Sequence, residues 1–197
     1  MRKVIDVSGF QENLDYDAVV AAGVEGVIIK ISEGMTLEET WWAHLANAME
    51  RDLPWGVYCF GHAQDTDRAK AEANEILYLL QGRQPPLGIW YDVEDSNYRS
   101  MFAQGVDTTA CASAFVSHCN ANGYGAGIYT SSLKCTDYML ESVRPRELAD
   151  YVPWWIADYR GYNGFAQAYP DKHVSGWQYS DKEYIGNVNV DMNEWYD

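Results

Sequence analysis

The sequence is short of positive charge: 14 lysines and arginines stand against 29 aspartates and glutamates, a net charge of −15. Proteins that grip nucleic acid need clustered Lys and Arg to displace counterions, so a phosphate backbone is excluded as the main partner. The same charge repels an anionic bacterial wall, and affinity for such a surface has to come from specific contacts or from another module. Cysteine is scarce as well. Cys59, Cys111, Cys119 and Cys135 form no CxxC pair, which removes the common zinc and redox motifs. Cys111 and Cys119 fall two helical turns apart with Phe115 midway, too far along one helix to be bridged, so buried free thiols are expected. No apolar run reaches the length of a membrane span, and Met1-Arg2-Lys3 is followed only by Val4 and Ile5 before Asp6 interrupts, so neither a membrane partner nor a secretory leader is read. The Gly-x-Ser-x-Gly nucleophile elbow is absent, and His62 has no second ligand at metal-binding spacing; no metal or cofactor is called for.

What the chain does have is a core and many aromatics. Of its 197 residues 47% are hydrophobic, with 15 Tyr and 8 Trp, and no low-complexity block or linker divides it. That composition is a globular one, and a single domain over residues 1–197 is expected. Short β-rich runs alternate with longer helical ones. Strands are predicted at Lys3–Val7, Val27–Ile31, Gly56–Phe60, Gly88–Val93, Gly125–Tyr129, Pro153–Ala157, Val174–Gln178 and Gly186–Val190. Helices are predicted at Asp15–Ala22, Glu38–Asp52, Thr66–Gln81, Thr108–Asn122 and Ser132–Leu140. Thr36 to Glu39 has capping-box spacing, Asp65 and Asp107 suit N-caps, and Gly23, Gly82 and Gly123 suit helix C-termini. Five β-helix units followed by three strands suggest an α/β chain folded as a shortened TIM-like barrel. An open doubly wound sheet is the alternative, but the turn Asp6-Val7-Ser8-Gly9-Phe10-Gln11 has no glycine-rich phosphate pattern.

In a parallel barrel the C-terminal strand ends open on one face, and polar residues collect there in this chain. Asp6 ends the first strand; Lys30, Ser32 and Glu33 follow the second; Tyr58 and His62 flank the third. Asp92 and Glu94 end the fourth, Tyr129 the fifth, Trp155 and Asp158 lie at the sixth, Gln178 at the seventh, and Asp191 follows the eighth. Asp92 and Glu94 are the sharpest signal, because strand residues two apart project to the same side. Glycoside hydrolysis commonly uses two carboxyl groups, and clustered acids raise one another's pKa. Asp-x-Glu alone is common and would more often begin a solvated loop. Asp6 and Asp191 at other strand ends turn the balance toward a site. Each of those has a plainer reading as a turn or loop acid, Lys30 as a structural ion pair, and His62 as a surface histidine.

These residues resemble glycoside hydrolase family 25, the Chalaropsis-type lysozymes of bacteria and phage endolysins. The resemblance is carried in order by Ile5-Asp6-Val7-Ser8, by Ala22-Gly23-Val24 with Val27-Ile28-Ile29-Lys30-Ile31-Ser32-Glu33-Gly34, and by Pro54-Trp55-Gly56-Val57-Tyr58-Cys59-Phe60. It continues through Tyr91-Asp92-Val93-Glu94, Gly127-Ile128-Tyr129-Thr130, Trp154-Trp155-Ile156-Ala157-Asp158-Tyr159, Trp177-Gln178-Tyr179 and Val190-Asp191-Met192-Asn193. Cys59 stands where the family often has His; by alternation it points away from Tyr58 and Phe60, so a packing change is expected there. The resemblance implies a (β/α)5(β)3 barrel that cleaves the β-1,4 bond between N-acetylmuramic acid and N-acetylglucosamine in peptidoglycan. It implies Glu94 as general acid and then base, and Asp92 as the group that orients the substrate's own N-acetyl group, with Asp6 and Asp191 completing the acidic cluster. An inverting path with an aspartate base stays open. Substrate contacts are implied for Lys30, Glu33, Tyr58, Phe60, Tyr129, Trp155, Asp158 and Gln178. The partner would be the peptidoglycan glycan strand, met at the bacterial wall by a secreted enzyme or by a phage or prophage lysin, acting as a monomer without cofactor. A sugar-binding module that has lost catalysis and a chitinase-like hydrolase are the alternatives; the latter's longer acidic signature would put Asp where this chain has Trp90.

Overall fold

The β-rich runs close into a ring. The computed structural model describes residues 1–94, 104–137 and 142–196. Its barrel strands are β1 (Arg2–Val7), β2 (Gly26–Glu33), β4 (Trp55–Phe60), β5 (Ile89–Asp92), β6 (Ala126–Ser131), β7 (Trp154–Ala157), β8 (Val174–Ile185) and β9 (Val188–Trp195). The order around the ring is β1-β9-β8-β7-β6-β5-β4-β2, closed by β1 against β2, with the two-residue β3 (Thr36–Leu37) paired to the far end of β2. Neighbours are parallel except at β9, which runs antiparallel to both β8 and β1. Outside lie α1 (Tyr16–Ala21), α2 (Trp41–Glu50), α3 (Thr66–Leu80), α4 (Thr108–Ala121), and the short α5 (Leu133–Thr136) and α6 (Gly164–Ala168). The chain is thus a single α/β domain around a closed eight-stranded mixed barrel, its late side covered by little helix.

Each barrel strand overlaps a run predicted from the sequence. Asp65 and Asp107 cap α3 and α4 by accepting hydrogen bonds from the backbone N–H of Arg68 at 2.8 Å and Ala110 at 3.0 Å. Gly23, Gly82 and Gly123 take the left-handed conformation that ends a helix.

Three expectations need correction. Thr36 forms no capping box: it pairs with Glu33 in β3, and α2 starts only at Trp41, after Thr40, which makes no side-chain cap bond. Pairing with β2 overrode the local pattern. The helix expected over Ser132–Leu140 is one turn, Leu133–Thr136, and residues 138–141 lie outside the described residues. Asp191 does not follow a strand end; it sits within β9, whose Cα register sets it beside Asp6.

The strand alternation divides the core into two layers. Outward-facing residues pack against the helices, among them Ile5, Ile29, Val57, Cys59 and Tyr91, whose ring stacks on Phe115 of α4 at 4.3 Å. All four cysteines are buried and free. Inward-facing Val4, Ile28, Leu87, Trp90, Tyr129, Trp155, Ala157 and Trp195 fill the barrel. Trp90, Trp155 and Trp195 meet edge to face, with centroids 5.3–6.1 Å apart. They fit because β6 and β8 carry glycine opposite them: a Cβ at Gly127 would lie 2.4 Å from Trp90, and one at Gly176 2.4 Å from Trp195.

Candidate active site

Two residues further along several strands, the barrel interior changes from hydrocarbon to charge. Val4 is followed on the same face by Asp6, Ile28 by Lys30, and Trp90 by Asp92. The register brings these together: Asp6 lies opposite Asp191, Lys30 opposite Tyr58, and Asp92 between Phe60 and Tyr129. Asp6, Lys30, Glu33, Tyr58, Phe60, Asp92, Glu94 and Asp191 line one open cavity of about 420 Å3, with Ser8, Phe10 and Gln11 at its lip. Glu94, just past β5, also lines a second cavity of about 270 Å3 with Tyr129, Ser131, Leu133, Lys134, Asp158, Tyr159 and Arg160. Glu94 is exposed and stands where the two spaces meet.

Gln178 is the hub of the polar floor. Its amide oxygen accepts from the hydroxyls of Tyr129 at 2.8 Å and Tyr159 at 2.6 Å. Its amide nitrogen donates to Asp6 Oδ2 at 2.8 Å and, more weakly, to Asp191 Oδ2 at 3.4 Å. Asn193 donates to the same Asp6 oxygen at 2.9 Å and accepts from Trp155 Nε1 at 2.7 Å. Even with two amide donors, Asp6 is raised to about 6, because burial outweighs them and Glu94 adds a like charge. Asp191 is pushed up to about 8 by burial and then by Asp6. Asp92, 3% exposed, is driven well above the ordinary carboxylate range by burial, then by Glu94 and Asp6, and its Oδ1 is buried without a hydrogen-bond partner. Burial likewise holds Tyr58 and Tyr129 neutral. Such a cluster retains protons near neutral pH, which suits acid–base work.

The remaining sequence candidates take different places. Lys30 and Glu33 form an ion pair at 2.8 Å on the cavity wall, where Lys30 lowers the Glu33 carboxyl, and His62 joins Glu33 at 3.2 Å. Trp155, expected among the sugar contacts, is 1% exposed and lines neither cavity; it lies beneath the site and donates to Asn193. Gln178 is equally buried and is hydrogen-bonded to Asp6, Tyr129 and Tyr159. Asp158 lines the second cavity, but its oxygens are engaged by Arg160 and by the Gly164 N–H. Sequence reasoning passed over Asn193, Tyr159 and Phe10. Asn193 carried a signal, lying two residues beyond Asp191 on the same strand face; Phe10, 91% exposed at the lip, carried none. Among the described residues no three His, Cys, Asp or Glu side chains are grouped to hold a metal ion.

Residues 5–188 match the glycosyl hydrolases family 25. The chain belongs to this family. A curated relative, the autolytic lysozyme of Clostridium acetobutylicum, is 26% identical over 98% of the chain, which spans only 55% of that protein's length. The modular autolysin LytC of Streptococcus pneumoniae, solved with a synthetic peptidoglycan ligand, superposes with a TM-score of 0.76 at 21% identity over 99% of this chain and 46% of its own. The catalytic domain of endolysin ply40 from a Listeria monocytogenes bacteriophage gives 0.74 at 21% identity, covering 100% of this chain and 93% of that one. At these identities the structures speak for the fold, and the family 25 barrel is the one described above.

Proposed function

We propose that this family 25 domain is a muramidase, hydrolysing the β-1,4 bond between N-acetylmuramic acid and N-acetylglucosamine in the glycan strands of the bacterial wall. The observation that carries the reading is the meeting of Asp6, Asp92, Glu94 and Asp191 around one cavity with Glu94 at its open border. A glycosidic oxygen lying between sugars in the two cavities would come within reach of the Glu94 carboxyl, which gives it a proton as the bond breaks. Asp92 is buried with one oxygen unsatisfied. A group entering the cavity with an N–H to donate relieves that deficit, and the substrate's acetamido group is such a donor. Held by Asp92, its carbonyl oxygen attacks the anomeric carbon from the face opposite the leaving group; the Glu94 carboxylate then takes a proton from the water that opens the cyclic intermediate. Asp191, pushed up to about 8, carries a proton at neutral pH and keeps the charge around Asp92 low enough for that role. Peptidoglycan bound to a relative of the same fold supports this choice of substrate.

The test is digestion of purified walls followed by mass analysis of the fragments. Muramic acid at the new reducing ends is the expected result; glucosamine there, or cleavage of chitin but not walls, rejects the reading. Glu94→Gln should cut turnover by about 10²–10⁴-fold with the melting temperature unchanged. Activity retained above a few per cent of wild type removes Glu94 from the acid role.

A further inference from the structure

Among the described residues Phe10 is the most exposed aromatic side chain, with 91% of its surface open to water. A lone exposed ring means little by itself. Its footing sets this one apart. Phe10 stands on the single turn Gly9–Gln11, directly after β1, and that turn is tied down from several sides. Ser8 and Gln11 form a capping box, in which the Phe10 N–H donates to Ser8 Oγ at 3.3 Å and the Ser8 N–H to Gln11 Oε1 at 3.0 Å. The Gln11 amide also donates to the Asn189 carbonyl of β9 at 3.1 Å. From behind, the buried His44 of α2 donates its Nε2–H to the Ser8 carbonyl at 3.1 Å. That carbonyl can only accept, so Nε2 carries the proton and Nδ1 accepts from the Tyr16 hydroxyl at 3.0 Å. Burial lowers His44 and keeps it in this neutral form. The turn is therefore fixed before anything binds, and a ligand that covers the ring has little else to order.

Phe10 lines the cavity that holds Asp92 and has no part in the second cavity beyond Glu94. On the muramidase reading the muramyl sugar reaches the floor of the first cavity at Asp92, and the sugar on its reducing side lies across Glu94. The sugar on its other side leaves through the mouth, where Phe10 stands. It is an N-acetylglucosamine, uncharged, with C–H groups on the faces of its ring, and an apolar face suits an aromatic one. We propose that Phe10 binds this N-acetylglucosamine, on the non-reducing side of the cleaved muramyl sugar, by stacking on a face of its ring. The inference rests on the muramidase reading.

The experiment follows hydrolysis of soluble, peptide-free glycan strands, inhibited in turn by N-acetylmuramic acid and by the disaccharide that carries N-acetylglucosamine on its non-reducing side. Wild type should be inhibited about tenfold better by the disaccharide, the gain from covering on the order of 50 Å2 of apolar ring. Phe10→Ala should raise KM about tenfold and remove that preference, with kcat and melting temperature unchanged. Phe10→Trp should restore both. A wild type without the preference overturns the inference, as does equal weakening of the two inhibitors by Phe10→Ala, which puts the ring against the muramyl sugar instead. A KM rise confined to strands that keep their peptides overturns it too, in favour of a peptide contact. KM unmoved by Phe10→Ala rejects the inference and leaves the muramidase reading standing; strands and walls left uncut by wild type reject both.

Discussion

The lower and upper halves of the barrel interior are made by the same strands, two residues apart, and they are opposites. Below, Val4, Ile28, Trp90, Trp155 and Trp195 pack as a dry layer. Above, Asp6, Asp92 and Asp191 crowd like charges into burial beside Lys30, and all three carboxyls are raised, first by burial and then by neighbouring carboxyls. The lower half stabilises the fold through apolar burial. The upper half gives some of that stability back in order to keep carboxyl groups protonated and Asp92 Oδ1 unsatisfied. Trp155 and Asn193 join the halves, since a single indole N–H bond links the tryptophan layer to the amide that steadies Asp6.

Substitutions in each half should separate these duties. Trp155→Ala removes a fully buried ring and the bond to Asn193, and should cost about 3–5 kcal/mol by urea unfolding; a loss below about 1 kcal/mol would mean the lower layer is not what holds the barrel. Asp92→Asn should do the reverse, lowering wall hydrolysis about a hundredfold or more with stability equal to or above wild type. Near-normal turnover would remove Asp92 from the chemistry.

Asp191→Asn reports the strain of the upper half through pH. Its carboxyl is raised from an ordinary value near 4 to about 8, so the folded state holds its proton more tightly than the unfolded chain. That group's contribution is fully present below about pH 4 and is lost as pH rises toward 8. Wild type should therefore lose melting temperature from pH 5 to 8, and Asp191→Asn should flatten that slope by a few degrees; identical slopes would count against the shift. The smallest effect is expected from Gln178→Met. It deletes a donor that favours ionised Asp6, so the Asp6 titration followed by carboxyl NMR should move above about 6. No movement would show that Asn193 alone sets that carboxyl.

Much of this architecture was legible along the chain. Alternation and apolar runs located the eight barrel strands, and Asp92 and Glu94 were readable as candidates from their two-residue spacing at a strand end, Asp6 from its place at the end of the first. Asp191 was placed in the right company for the wrong reason: its partnership with Asp6 comes from an antiparallel register, which no local pattern announces. Trp155 was a candidate sugar contact only through the family resemblance; closure of the ring puts it under the floor, 1% exposed. The spacing from Thr36 to Glu39 misled because a capping box is a local preference worth about 1 kcal/mol, and pairing with β2 competes directly with it.

By itself the sequence determined which residues face inward and which outward, since side-chain period follows from strand geometry, and it determined the family through motifs spread from Ile5 to Asn193. The tertiary structure decided who meets whom. It made Gln178 the hub of Asp6, Asp191, Tyr129 and Tyr159, set Glu94 between two cavities, and seated Arg160 on Asp158 in the gap left by Gly164. The meeting of Gln178 with Asp6, 172 positions apart, depends on inter-strand register and barrel closure, whereas Arg160 on Asp158 is a local turn, and burial then sets the protonation of the buried carboxyls.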